Sequence, residues 1–476
     1  MLSLRHIIPA LTCLGLVACG DLVPTRSTAQ AETSAPSSWR EASKGQNKKI
    51  SSGWLSEFNS PEMTKLVNEA LHNNPNLNAA AARLRAAKEG TVGDLANLLP
   101  AVNAGAGGSR ARIGNGEDER FYTESYNLSL NASWEPDLWG RLRDLRDASL
   151  SGYQASVYEY RGARLSLAAN TAKAWCNLIT AENQYALAQN ILASFSKNNA
   201  IVERNYKAGV PGTRAIAVQL SRNNVAQAER SLRSRKQLRD EAARQLEQLL
   251  GRYPSASLKA TNKLPKLNKN PPASIPANLL IRRPDLAAAQ SRVYQSAKTA
   301  DAAQKNILPS ISLNGSARSN NTNLENVFNP HFLASSVAAS LTQSIYRGGE
   351  LKANAQAALD RNSASIYDFS DRSIRAFREV EEALAADRSL AQQEKFLLVE
   401  VRQAQLAVKS AEIDCSEGLD NSGILEILES QRRANNARAQ LIALKNRRLQ
   451  NRIDLHLALG GDFSTRAPKS SGVLLF

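Results

Sequence analysis

Four cysteines and four histidines are the whole soft-ligand complement of this 476-residue chain, at positions 13, 19, 176 and 415 and at positions 6, 72, 331 and 456. Thiol or imidazole chemistry needs such groups in sets, as ligands at metal spacing or as a nucleophile beside a base. No HExxH occurs, no neighbouring ligand set is present and no disulfide framework is visible, so no metal site and no cofactor is expected. A nucleophile elbow and a phosphate loop are absent as well, which makes an enzyme the poorest reading. Cys176 and Cys415 fall in helix-type stretches and read as buried free thiols. Cys19 is placed differently, because it follows a basic start at Arg5 and His6 and an apolar run from Ile7 to Val17.

That apolar run is far under the ~20 residues a spanning helix needs, so residues 1–18 read as a signal segment. The tetrapeptide Leu16-Val17-Ala18-Cys19 resembles the bacterial lipobox, which would make Cys19 the acylated first residue of the mature chain. Gly20 follows, not the Asp that typically retains such lipoproteins in the inner membrane. The alternative is an ordinary cleaved signal with a chance Cys. From Cys19 a Ser/Thr/Ala-rich tether without periodicity runs to about Lys49.

The stretch that would give such an anchored chain a function runs from Tyr122 to Arg141. Tyr122, Glu124, Tyr126, Leu128, Leu130, Ala132 and Trp134 alternate with Thr123, Ser125, Asn127, Ser129, Asn131 and Ser133. Period two with one apolar face and one small polar face suits a strand between lipid and water, and a dozen residues at ~3.3 Å each can cross a tilted bilayer core. A half-buried strand of a soluble sheet is the bland alternative. The strand ends at Pro136. From Arg141 a helical pattern then runs for about 65 residues, with Leu165, Ala168, Ala172, Trp175 and Ile179 forming a narrow seam. It breaks at residues 206–212 and resumes to Leu250-Gly251. Upstream, Ser60-Pro61-Glu62 opens a helix expected to continue to the Pro100 region, where Val102, Ala104 and Ala106 begin another strand.

Beyond a Pro- and Lys-rich linker the pattern starts again. Pro75 and Pro284, Pro100 and Pro309, Gly209 and Gly418, and Gly251 and Gly460 all differ by 209 residues. NLLPAV recurs as NILPSI and QLLG as LALG, so the chain reads as a duplication in which each half is helix, two strands, long helix, turn, helix. In the second half Ile311, Leu313, Gly315 and Ala317 alternate with Ser310, Ser312, Asn314 and Ser316; the next strand is read through Val337, Ala339, Leu341 and Ile345. The expected boundaries are a signal at 1–18, a tether at 19–59, a first repeat at 60–251, a linker at 252–277, a second repeat at 278–461 and a tail at 462–476. Four membrane strands leave two unsatisfied edges in lipid, so several copies must share one barrel.

Formal charge is +16, or +15 without residues 1–18, which carry Arg5 and no acid. The basic residues are interleaved with acids at helical spacing, as in residues 222–244, which marks solvated helix faces and no nucleic-acid partner.

Taken together, the lipobox, ALHNNPNLNAAAARL near residue 70, SWEPDLWGR at 133–141, RRPDLAAA at 282–289, YRGGE at 346–350, REVEEAL at 378–384, ILESQR at 427–432 and ALGG at 458–461 resemble the TolC-like outer-membrane channels, specifically the lipoprotein branch of tripartite RND-type efflux pumps. The resemblance spans nearly the whole mature chain. It implies a mainly α protein with a membrane β-barrel, in which a homotrimer shares one twelve-stranded barrel above a long α-helical barrel in the periplasm. The implied partners are a periplasmic adaptor, an inner-membrane pump and outer-membrane lipid through acylated Cys19.

The same resemblance implies residue roles. Pro100, Trp134, Pro136 and Pro309 become strand–helix corners, and Tyr122, Tyr126, Trp134 and Trp139 an interfacial aromatic girdle, with core packing an equal account of Trp139. Gly209 and Gly418 mark hairpin tips that contact the adaptor. Glu426 and Glu429, at i and i+3 on one helix face, become a periplasmic gate ring of six carboxylates in the trimer; two solvated surface glutamates are the alternative. Ala217 stands where the family typically has Asp, and Cys415 where it has Tyr. The expected activity is passive export of small toxic compounds. Protein secretion with an ATP-driven exporter keeps the same fold, and a structural coiled-coil lipoprotein would lack the barrel.

Overall fold

The computed structural model describes residues 38–41, 53–114, 120–210, 213–260, 263–267, 271, 276, 279–417 and 423–461. Cys19 and Gly418, together with the Gly/Asn/Asp-rich residues 115–118 that the sequence reads as part of an exposed hairpin loop, lie outside the described residues. The first repeat runs α1 (Pro61–Asn73), α2 (Pro75–Ala96), β1 (Ala101–Gly114), β2 (Arg120–Trp134), α3 (Arg141–Lys207) and α4 (Ala215–Leu249). The second runs α5 (Pro284–Lys305), β3 (Ser310–Asn321), β4 (Leu333–Thr342), α6 (Glu350–Glu417) and α7 (Gly423–Ala458).

Helix α1 starts where the sequence says it should, with the Ser60 hydroxyl accepting from the Met63 N–H at 3.3 Å and Pro61 in the first turn. The single helix expected from there to Pro100 is two. Pro75 pushes Asn74 into extended backbone, with ψ 121°, and the freed Asn74 side chain caps α2 by accepting from the Leu77 N–H at 3.1 Å. Strand β4 also stops earlier than expected, at Thr342, because Gln343 leaves the ladder and donates to the Ile307 and Ser344 carbonyls, each at 3.1 Å. Ile345 is therefore not in the strand.

The chain forms two compact units. One holds the described residues of 83–157 and 288–371, and with them the sheet; the other holds the described residues of 38–82, 158–287 and 372–461. In the first unit the four strands pair antiparallel in the order β1-β2-β3-β4. In the second, Leu167, Ala172, Trp175, Leu178 and Ile179 of α3 pack with Met63, Val67, Leu246, Leu250, Leu449 and Ile453 in one core. Small and branched residues let these helices approach closely. Cys176 is buried there, and burial pushes its thiol up to about 12, so it is an inert packing group.

The tether expected at 19–59 has ordered parts. Trp54 and Phe58 lie on a short turn of 3₁₀ helix, Trp54–Phe58, and are buried in this core. The Glu57 carboxylate beside them binds Arg452 at 2.5 Å and His456 at 2.6 Å, and Arg452 also holds Asp387 at 2.9 Å. Burial raises the Glu57 pKa, but hydrogen bonds and charge from His456 and Arg452 outweigh it and hold the group below its ordinary value.

Candidate functional site

Register shows which side chains share a face of the sheet. Pairs such as Val102 with Ala132, Leu130 with Ala317, Trp134 with Leu313, Gly315 with Val337 and Ile311 with Leu341 put the large apolar residues on one side. Asn103 with Asn131, Ser133 with Asn314, Asn127 with Asn320 and Ser316 with Ser336 lie on the other. That second face is knitted by its own polar groups: Ser312 to Ser340 at 2.7 Å, Ser316 to Ser336 at 2.9 Å and Ser125 to Asn320 at 3.0 Å. A wet surface is thus opposed to an apolar one across a single layer. Among the described residues the backbone edges of β1 and β4 have no partner strand. Among the described residues no helix is long and apolar enough to cross a membrane.

The apolar face ends in aromatic and charged residues at the β1–β2 hairpin. The Arg110 guanidinium lies 4.6 Å from the Tyr122 ring centroid and 3.4 Å from Glu124, to which the Tyr126 hydroxyl donates at 3.3 Å. An amphipathic rim of this kind suits a headgroup boundary.

At the opposite end the four corner residues are arranged in two groups. The Trp134 indole N–H donates to the Leu98 carbonyl at 3.0 Å, tying the end of β2 to the turn before Pro100. The Trp139 indole N–H donates to the Pro309 carbonyl at 2.6 Å, and Pro136 and Pro309 line one cavity of about 230 Å³ with Trp139, Arg141 and Arg347. Both tryptophans are partly exposed, so each has an apolar body at the surface and a fixed polar tip. Helix α3 is launched from this corner by Asp137, whose carboxylate accepts from the Leu142 and Arg143 N–H groups at 3.1 and 2.9 Å. Gly140 takes φ 75° to make the turn.

Of the two helix-hairpin tips, the first is described apart from residues 211 and 212. Gly209 adopts φ 68° and donates to the Tyr206 carbonyl at 3.1 Å, while the Val210 N–H closes the turn on Asn205 at 3.0 Å. Ala217 is buried against Val202 and Val218, so at this position the chain has packing instead of an acid.

The acid pair on α7 has company that the sequence reading overlooked. The Glu429 carboxylate accepts from Arg432 at 2.8 and 2.9 Å and from Arg433 at 2.8 Å. These hydrogen bonds, first Arg432 and then Arg433, hold its pKa at about 2. Glu426 is exposed one turn earlier. Two acids and two arginines thus lie within two turns of α7, and Glu429 is paired within its own chain. The signal was in the sequence as Arg at i+3 and i+4 of Glu429.

The family description "Outer membrane efflux protein" matches residues 66–252 and again 275–461. The pyoverdine export outer membrane protein OpmQ of Pseudomonas putida is 30% identical over 479 residues, covering 98% of this chain and 99% of its own. The cation efflux system protein CusC of Escherichia coli is 27% identical over 86% of this chain and 88% of its own. Among solved structures, the open state of the Neisseria gonorrhoeae MtrE outer membrane channel superposes with a TM-score of 0.80 at 28% identity, covering 93% of this chain and 98% of that one. With two tandem family matches over most of its length, and a sheet that separates an apolar from a polar face, the chain belongs to the outer membrane efflux protein family.

Proposed function

We propose that three copies of this chain share one twelve-stranded barrel and act as the passive exit duct of a tripartite efflux system, carrying small molecules or ions from the periplasm to the exterior. The observation that carries this reading is the four-stranded sheet whose two outer edges have no partner strand among the described residues. In lipid each unsatisfied backbone group costs several kcal/mol, so a four-stranded sheet is viable only when another copy's edge completes it. Placing the apolar face toward lipid leaves the Ser/Asn face as a wet lumen wall. The matched relatives are named as a pyoverdine export outer membrane protein and a cation efflux system protein, which supports an export role.

In this reading acylated Cys19 anchors each copy in the outer membrane. Pro100, Trp134, Pro136 and Pro309 turn the chain from membrane strands into periplasmic helices. The tips at Gly209 and Gly418 meet a periplasmic adaptor, which links the duct to an RND-type inner-membrane pump. Glu426 and Glu429 sit near the closing end, with Arg432 and Arg433 balancing their charge, so the gate works through exchange of ion pairs and not through bare carboxylate repulsion.

The test is a paired assay on a deletion strain: retention of a panel of dyes, antibiotics, siderophores and metal ions alongside the secreted-protein profile. Accumulation of small molecules with unchanged secreted proteins is the expected result. Loss of a secreted protein with normal clearance of the panel would assign the duct to a protein exporter.

A further inference from the structure

The polar face of the sheet carries serine, asparagine, threonine, glycine and alanine along nearly its whole length, and one charge. That charge is Arg318 on β3, which pairs in register with Ser129 on one side and Ala334 on the other. The same-face neighbours along its own strand are Ser316 and Asn320. No carboxylate stands on this face in any of the four strands, whose alternate positions run from Ala101 to Ala111, Thr123 to Ser133, Ser310 to Asn320 and Ala334 to Thr342. Arg318 is exposed, and among the described residues it has no hydrogen-bond or ion-pair partner. The other strand charges with described side chains, Arg110, Arg112 and Glu124, share the apolar face. The repeat equivalent of Arg318, 209 residues earlier, is Ser109, so the charge belongs to the second repeat alone.

We propose that Arg318 is a charge-selecting residue of the duct: its three copies form a cationic ring in the barrel lumen that favours anionic over cationic small molecules. The proposal rests on the shared-barrel reading above. Twelve strands ~4.8 Å apart and tilted by ~40° close into a backbone cylinder about 24 Å across. An arginine reaching about 6 Å inward leaves its guanidinium about 6 Å from the axis, inside the ~8 Å screening length at physiological ionic strength, so every ion in transit feels all three charges. Charged side-chain rings set selectivity in pores in this way, with arginine serving anions. Ser129, Ala334 and Gly105 in the same row are small and leave the guanidinium room to reach the lumen. Arg318 lies three residues from the loop end of β3, at the outward mouth, where the ring would act on cargo about to leave.

The experiment uses the full-length protein in planar bilayers under a low-ionic-strength KCl gradient, comparing wild type with Arg318→Lys, Arg318→Gln and Arg318→Glu. SDS-resistant trimers are checked for each. The anion-to-cation permeability ratio is expected to hold in Arg318→Lys, to fall at least twofold in Arg318→Gln and to fall further in Arg318→Glu. Equal ratios across all four channels, with trimers intact, would overturn the proposal while leaving the shared barrel standing. Failure of the wild type itself to form SDS-resistant oligomers would instead remove the shared barrel and the ring with it.

Discussion

Superimposing the two repeats by their 209-residue offset separates what the duplication kept from what it let go. The Trp134 indole donates to the Leu98 carbonyl, and Gln343, at the equivalent position, donates to Ile307, the equivalent carbonyl. Asn74 donates to the Leu249 carbonyl at 2.9 Å; its counterpart Arg283 donates to Ala458, again the equivalent carbonyl, at 3.3 Å. Gly251 and Gly460 both take positive φ, and a Cβ on either would strike the backbone of the same partner position, Asn73 in one repeat and Arg282 in the other. In the first two cases the backbone acceptor is constant and the donor side chain has changed; in the third both the glycine and the backbone it approaches are kept. What was kept is a set of contacts to main-chain groups that must be satisfied whatever the surrounding residues are.

The differences fall where each repeat meets a segment that the other lacks. Glu247 and His456 are equivalent by the same offset. Glu247 accepts from the Ala256, Ser257 and Leu258 N–H groups at 2.7, 2.8 and 3.0 Å, holding the start of the inter-repeat linker against the first repeat. His456 instead binds Glu57 and stacks on Trp54, with ring centroids 5.7 Å apart, fastening the segment that precedes α1. One helix position became two different clasps. Arg283 likewise adds ion pairs to Asp285 at 2.8 Å and Glu379 at 2.6 Å, where Asn74 adds to the shared carbonyl contact a helix cap on Leu77.

The largest test of this equivalence is at the two glycines. Gly251→Ala and Gly460→Ala each combine positive φ, costing about 1–3 kcal/mol, with a backbone collision, which at Gly251 is a Cβ 2.6 Å from the Asn73 oxygen. Both variants are expected to lower the thermal dissociation point of the trimer by similar amounts, and a silent substitution in one repeat would end the claim that the turns are under the same constraint. Next in size, Arg283→Ala leaves Asp285 and Glu379 without their cation. It is expected to cost about 2–3 kcal/mol, against about 1 kcal/mol for Asn74→Ala, in chemical denaturation. Equal losses would mean that the ion pairs contribute nothing beyond the shared carbonyl contact.

The smallest effect is acidic. Burial raises the Glu247 pKa, but the backbone donors at Ala256, Leu258 and Ser257 outweigh it and hold the group below its ordinary value. Its contribution is therefore complete above the unfolded value of ~4.3 and is lost as pH falls through the lower folded value. Glu247→Gln should flatten the wild-type stability profile in that window, read by denaturation between pH 5 and 3, and an unchanged slope would assign the acid sensitivity elsewhere.

Much of this was readable in the sequence because its causes are local. Alternation along residues 122–134 depends on neighbours two apart, and Pro100, Pro309 and the paired glycines act on their own backbone. The break at Asn74-Pro75 was equally local and was overlooked because helical periodicity continues across it. Arg432 and Arg433 were likewise in view, at i+3 and i+4 of Glu429, and the reading of acids at i and i+3 left these cations out. Burial of Trp54 and Glu57 had no such signal, since their partners lie about 400 positions away in the chain. The charge at Arg318 was one step beyond the alternating run read from Ser310 to Ser316, where the pattern of small polar residues stops being uniform.

The unpaired edges of the sheet also have a genetic consequence. A duct closed by three neighbours has no copy that can be faulty in private, because one damaged chain disables the whole trimer it joins. With equal expression of a wild-type and an assembly-competent but blocked allele, random mixing leaves only about one trimer in eight wholly wild type. Blocking alleles of this locus should therefore behave as dominant, whereas alleles that abolish strand pairing should be recessive.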